Sequence, residues 1–342
     1  MDNTQINKVP KPIVNLLYNG KDCTKDFSKY LNNLTFQDFE DEQSDELTIS
    51  LNNNDGYFSD LWYPEKGDNL TCSISFDGFN FDCGTCTIDD NTFNYGISGD
   101  TVEIKALATS ANFPVRTNKV KNHTGKSLIQ IANEFGKTHG FTVLGNEGNL
   151  KVGAIIQKNE SDIAFLKRIA KQYGYIFNIK DKYLTFIKIE ELENSEPIFT
   201  LTKENFKNIS LNDTVTKLYG KAKVQYFDRK TKSLKTYTAV GSTNLTDTLN
   251  IYDKCGSLEE AQKKASAALK NGSKEINGTM ELSLPIKMKD ETVINPVIGF
   301  IAGVNFDVTG IGKFEGKYHL TSTKRTISSN GLSISGEVSK CI

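Results

Sequence analysis

The chain has 342 residues, 37% of them hydrophobic and 24% charged, and carries a net charge of −1. At roughly 100–200 residues per domain this length predicts two or three domains with buried cores, which excludes wholesale disorder. The near-neutral total argues against general nucleic-acid binding, no run of about 18 apolar residues offers a membrane span, and three histidines (His123, His139, His319) restrict histidine chemistry.

The first thirty residues lack a basic start followed by an apolar stretch, so no signal peptide is expected. The six cysteines, Cys23, Cys72, Cys83, Cys86, Cys255 and Cys341, are then expected as reduced thiols. Charge is split along the chain. Residues 1–112 hold seven lysines and no arginine against nineteen acids, a net of −12, and the remainder carries +11. Such polarity suits ordered head-to-tail contact between copies, a negative face turned to a partner, or two separately solvated surfaces.

In chain order, Pro12–Tyr18 is apolar and ends in Asn19-Gly20, a hairpin signal. Leu34–Phe36 and Leu47–Leu51 flank an acidic loop, Asp38–Glu46. Leu70–Phe76, Phe79–Ile88 and Thr101–Leu107 alternate apolar with polar residues, so a first β-barrel domain is expected over residues 1–113. Near Pro114 the pattern changes. Ser127 and Gln130 form a capping box before the stripe Leu128, Ile131, Ala132 and Phe135. A second helix starts near Asn159–Ser161, carries Ile163, Leu166, Ala170 and Tyr173, and stops at Gly174. Tyr175–Ile179 and Tyr183–Ile189 read as a hairpin, which completes an α/β insert domain over 114–192. A charged linker, Glu190–Glu196, leads into a second β-barrel domain over 193–342, interrupted by one helix capped at Ser257. The fold class is mainly β with an α+β insert, two related barrels flanking a small α/β domain.

The two barrels share a faint repeat. Gly84-Thr-Cys-Thr-Ile88 is followed by Gly99 and Val102, as Gly316-Lys-Tyr-His-Leu320 is followed by Gly331 and Ile334. Upstream, Gly67–Cys72 parallels Gly303–Val308.

No motif announces catalysis. Cys83-Gly-Thr-Cys86 sits in a strand pattern, where residues three apart face opposite ways, and it lacks a second pair for zinc. Gly125-Lys126-Ser127 lacks the upstream glycine of a phosphate loop, since Val120 stands there. The stretch Thr124–Gly136 is similar to the first helix of a LysM, a peptidoglycan-binding module in which a second helix and a strand follow.

Several segments together resemble the baseplate hub family of contractile phage tails, the phage late control D family. They are Asn19–Asp22, Trp62-Tyr-Pro-Glu-Lys-Gly-Asp68, Gly84-Thr-Cys-Thr-Ile-Asp89, the sixteen residues Asn159–Gly174, and Gly312–Tyr318. The chain departs from the family at the cysteines of the Gly84 strand and at Arg325, near which many relatives have a histidine.

The resemblance implies a structural protein, with no enzymatic activity and no cofactor or metal. It implies a homotrimeric ring joining a sixfold tail tube to a threefold central spike, similar to the hub part of type VI secretion spikes. The implied partners are a separate spike chain, the tail tube or a tube-initiator protein, and other baseplate proteins. Two similar barrels in each of three chains would present six similar units to the tube. The protein would belong to a virion or phage-tail-like particle assembled in the host cytoplasm. DNA or effectors would pass its lumen without specific binding. The acidic loop residues Asp38, Glu40, Asp41, Glu42, Asp45 and Glu46 are candidates to face that channel. The alternative from another class is a cell-wall-binding or lytic tail protein using the LysM-like helix.

Overall fold

The fold is described from a computed structural model that covers residues 10–341 apart from 42, 98, 109–116, 146–152, 154, 181, 215–217, 242–244, 273–275 and 287–293. The first expected domain boundary, at 113, lies outside the described residues.

Strand β1 (Ile13–Tyr18) turns into β2 (Lys21–Asp22) at Asn19 and Gly20, with φ of 48° and 79°. Positive φ at both central positions is what an Asn-Gly two-residue hairpin supplies. After the short helix α1 (Thr24–Ser28) come β3 (Leu31–Phe39), β4 (Glu46–Asn52), β5 (Asn69–Phe76), β6 (Phe79–Asn94) and β7 (Thr101–Leu107). Their period-two patterns turn Leu34, Phe36, Leu47, Ile49, Leu51, Leu70, Ile74, Val102 and Ile104 into one core.

The middle of the chain forms β8 (Asn118–Asn122), α2 (Leu128–His139), β9 (Thr142–Leu144), β10 (Ile156–Ser161), α3 (Asp162–Tyr173), β11 (Tyr175–Lys180), β12 (Tyr183–Lys188) and the short helix α4 (Ile189–Glu193). The Ser127–Gln130 capping box is present in both directions, and Ser161 caps α3 by accepting from the Ala164 N–H. Gly174 closes α3 in the left-handed conformation, φ 73°. The apolar stripes of α2 and α3 close over β11 and β12 as a second core. The segment expected as a charged linker forms α4 instead, since Ile189, Glu190, Glu191 and Leu192 are sound helix formers.

The remainder contains β13 (Thr200–Thr202), β14 (Phe206–Asp213), β15 (Lys221–Asp228), β16 (Ser233–Val240), β17 (Thr248–Cys255), α5 (Leu258–Gly272), β18 (Ile276–Leu282), α6 (Pro296–Gly299), β19 (Asn305–Thr309), β20 (Gly316–Ser328) and β21 (Gly331–Lys340). Strands β15–β17 and α5 stand apart from the large sheet. They form a three-stranded sheet with its own small core of Ala222, Val224, Ala239, Cys255, Ala261, Ala265 and Leu269. The expected lone helix of the second half is therefore half of a separate α/β unit.

Strand pairing repeats. In the first half the order is β3-β4-β7-β6-β5, every neighbour antiparallel; in the second it is β14-β18-β21-β20-β19, again antiparallel throughout. This is the correspondence that the glycine pattern indicates. Gly67 and Gly303, which lead into the paired strands β5 and β19, have φ of 93° and 89°; Gly99 and Gly331, at the last strand of each half, have 112° and 95°. Side chains rarely adopt these values, so the repeated glycines mark repeated turns. The α/β unit lies between β14 and β18, the place that in the first half is filled by the acidic turn between β3 and β4.

The halves are not separate sheets. Strand β20 pairs with β19 over its first residues and then with β3, from Ser322↔Phe39 to Ile327↔Leu34. One 13-stranded sheet thus runs through both, and no sheet closes on itself among the described residues.

Candidate functional site: the acidic turn at the junction

Asp38 was expected in a loop, but β3 extends through Phe39. The inward positions Leu34, Phe36 and Asp38 continue one alternation, so Asp38 enters the interior as the last member of an apolar face. Its Oδ1 accepts from the Lys180 ammonium on β11, and its Oδ2 from the Ala302 N–H at 2.8 Å. Asp45, also buried, lies 3.2 Å from the same ammonium and accepts from the Phe39 N–H at 2.9 Å. Asp41 accepts from the Phe177 N–H at 3.0 Å, and the Asn178 side chain donates to the Phe39 carbonyl at 2.6 Å. The turn is thereby stitched to the β11 strand of the middle domain.

Burial pushes the Asp45 carboxyl up to about 6, against the pull of Lys180 and with the help of neighbouring Asp38. Burial pulls the Lys180 ammonium down, but the two carboxylates outweigh it and the net shift is upward.

Glu40 makes the third connection. Its carboxylate faces His319 Nε2, while His319 Nδ1 lies 2.6 Å from Asn305 Oδ1. The Asn305 amide donates to the carbonyls of Leu192 and Ser195 at 2.7 and 2.9 Å, which leaves Oδ1 as an acceptor. Both nitrogens of the buried ring are thus within hydrogen-bond reach of a side chain. Glu40, His319 and Asn305 tie the turn to β20, to β19 and to the segment after α4. Glu46 pairs instead with Lys105 across the first-half sheet, at 2.5 Å. Glu42 lies outside the described residues. Five of the six acidic candidates are thus engaged within the chain, four of them at the junction of three parts.

The sequence reading noted Arg325 only as a departure from the hub family and gave it no structural role. It is the largest fully buried side chain among the described residues, and it sits in the same seam, opposite Phe36 in the β20–β3 ladder. Burial lowers its guanidinium to about 10, and Asp38 acts against that shift. Only Ile327, two residues on, shares the alternation of Arg325, and a register shift after Leu320 breaks the pattern, so the sequence carried little signal of its burial.

The other singled-out residues form no reactive group. Cys83 and Cys86 both enter the first core, because a bulge opposite Cys72 and Ser73, with Gly84 at φ 72°, resets the strand between them. A hydrogen bond with Cys72 and burial push the Cys83 thiol far up, away from thiolate chemistry. Among the described residues no group of three or more His, Cys, Asp or Glu could hold a metal. His139 bonds Asp162 at 3.0 Å, and His123 stacks on Phe165. Around the LysM-like helix α2, strands β9 and β10 separate the two helices, and β10 pairs with β8.

No family model matches the chain. A probable baseplate hub protein of Escherichia phage P2 is 27% identical over 176 residues, 51% of this chain and 44% of that protein. The probable baseplate hub protein of Escherichia phage 186 is 25% identical over 201 residues, 57% of this chain and 50% of that one. Over about half its length the chain is similar to these two phage baseplate hub proteins. It spans about half the length of the curated hub proteins it matches. A tail protein from Neisseria meningitidis MC58 shares the fold over 96% of this chain and 97% of its own, with a TM-score of 0.69 at 14% identity. The names of these proteins describe baseplate hub and tail components. Like the expectation, the fold is mainly β.

Proposed function

We propose that the chain is the structural hub of a phage tail or phage-tail-like particle, assembled as a homotrimeric ring between a sixfold tube and a threefold spike. The observation that carries this reading is the repeated strand order, β3-β4-β7-β6-β5 and β14-β18-β21-β20-β19. It supports reading each chain as two similar antiparallel units, and three chains would offer six such units to a tube. The unlike pieces at equivalent places, an acidic turn in one half and an α/β unit in the other, keep the threefold character on other faces. Spike, tube and other baseplate proteins are its partners in this reading, and no cofactor is needed. Support also comes from the hub proteins among its relatives.

Asp38, Glu40, Asp41 and Asp45 act as a joint in this reading, so an acidic wall facing a lumen would draw on other residues of the first half. The test is the mass of the chain with its cognate spike protein by light scattering, and the symmetry of the assembled particle by electron microscopy. A threefold mass and a threefold ring are expected; a monomer or dimer in the particle would refute the reading.

A further inference from the structure

The first half ends in an acidic, apolar tip. Segment 54–68 lies along the β6–β7 hairpin: Asn54 Oδ1 accepts from the Asp100 N–H at 2.7 Å, and Asn91 donates to the Pro64 carbonyl at 2.5 Å. Leu61 is 80% exposed, Tyr95 85% and Ile97 fully, and Phe93 is more than half exposed. Trp62 and Tyr63 join them on the surface. Around these lie the exposed acids Asp55, Asp60, Glu65, Asp89 and Asp90, with Lys66 near Asp90 and Lys105 across the ladder from it. Exposed apolar side chains on two hydrogen-bonded segments, with acids around them, are the kind of surface that marks a protein contact.

The α/β unit carries the opposite surface. Helix α5 covers one face of the β16-β15-β17 sheet; the register places Lys221 opposite Val240 and Phe227 opposite Leu234 on the other. These residues and Lys223 are exposed, Val240 at 73%. The hairpin tip adds exposed Arg229, Lys230 and Lys232. On this face Val240 lies at one end of the ladder and Phe227 with Leu234 at the other, with Lys223 between them and the hairpin-tip cations beyond.

We propose that the acidic tip of one copy docks on the basic outer sheet face of a neighbouring copy, a head-to-tail contact between unlike surfaces. The two patches match in sign, each exposes apolar area, and each chain carries one of each. They lie in the segments that account for the net −12 and the basic remainder of the sequence. Complementary charge of this kind fixes register and partner choice. Unlike surfaces that repeat head to tail close into a ring when the rotation between copies closes, as the threefold reading requires. This deepens the ring reading above and rests on it.

The test uses two variants of the full chain, a tip variant (Leu61→Asp with Tyr95→Asp) and a face variant (Lys223→Glu with Phe227→Asp). All four positions are exposed, and circular dichroism melts confirm folding. Sedimentation velocity at high concentration is expected to show salt-sensitive oligomers for the natural chain and monomers for each variant. An equimolar mixture should give dimers only, because each variant retains one of the two complementary surfaces. A charge exchange pairing Asp60→Lys and Glu65→Lys with Lys221→Glu and Lys223→Glu in one chain should restore oligomers. Variants that stay oligomeric would overturn this contact while leaving the ring reading intact. A natural chain monomeric alone and with its spike would overturn both. DNA binding lost in the face variant, with oligomers unchanged, would reassign that face to a polyanion.

Discussion

Arg325 lies flat over the Phe81 ring, its guanidinium carbon 3.5 Å from the ring centroid. The two residues come from opposite halves of the chain, β20 and β6. The guanidinium also donates to the Phe300 carbonyl at 2.9 Å, at the end of α6, where the helix dipole favours a cation. A cation without a carboxylate contact is held there by a ring face and carbonyls. Arg325→Ala is expected to cost about 3–5 kcal/mol by urea denaturation, from a cavity and stranded carbonyls. Arg325→Lys should recover little of it, because an ammonium cannot stack flat on Phe81 while reaching Phe300. Full recovery with lysine would show that charge alone suffices.

The Asp38–Lys180–Asp45 cluster predicts a pH dependence. The folded carboxyl of Asp45, at about 6, lies above its unfolded value. The folded state thus holds the proton more tightly, so the penalty is full above about pH 6 and is relieved as pH falls toward 4. Asp45→Asn, which can still accept from Phe39, is expected to stabilise by about 2–3 kcal/mol at pH 8 and by almost nothing at pH 4. Lys180→Met leaves two buried carboxylates unpaired and should cost about 3–5 kcal/mol at pH 8, less at pH 5. Stability curves for both variants that run parallel to the natural protein across pH would refute the assignment.

Glu40 and His319 should be coupled. A double-mutant cycle with Glu40→Gln and His319→Gln is expected to return an interaction of about 1–3 kcal/mol in thermal unfolding. An additive cycle would mean that the buried contact contributes nothing to joining the parts.

Helix α3 is a packing element. Leu166 is almost wholly buried against the middle core. Leu166→Ala should destabilise by about 2–5 kcal/mol in chemical denaturation. A variant of unchanged stability that fails only in assembly would reverse this view.

The cysteines of β6 are core residues. Replacing Cys83 and Cys86 together by valine should leave assembly and metal content unchanged, with a stability change within about 1–3 kcal/mol from altered packing. Loss of a stoichiometric metal by mass spectrometry would contradict it.

What was legible in the sequence was whatever repeats locally. Period-two stretches located the strands, Ser127 and Ser161 located two helix starts, and Gly67, Gly99, Gly303 and Gly331 revealed the repeat. The joint was not legible. Asp38 looks like loop acid until Lys180, 142 residues away, supplies its partner. Arg325 looks like a surface residue until Phe81 and Phe300 surround it. The bulge at Gly84 likewise turned two cysteines to the same side, against simple alternation. Tertiary partners decide such residues, and local pattern does not carry them.

The ladder between β3 and β20 also sets a timetable for the newborn chain. The edge that β3 offers is complete when Phe39 leaves the ribosome, yet its partner Ser322 follows about 280 residues later. At about 5–20 residues per second that is a wait of roughly 15–60 s. Through that interval an unpaired strand is a template for any passing strand, from a sister nascent chain above all. The first half is therefore the stage of biosynthesis at which chaperone cover matters most, and truncations ending before β20 should accumulate as aggregates.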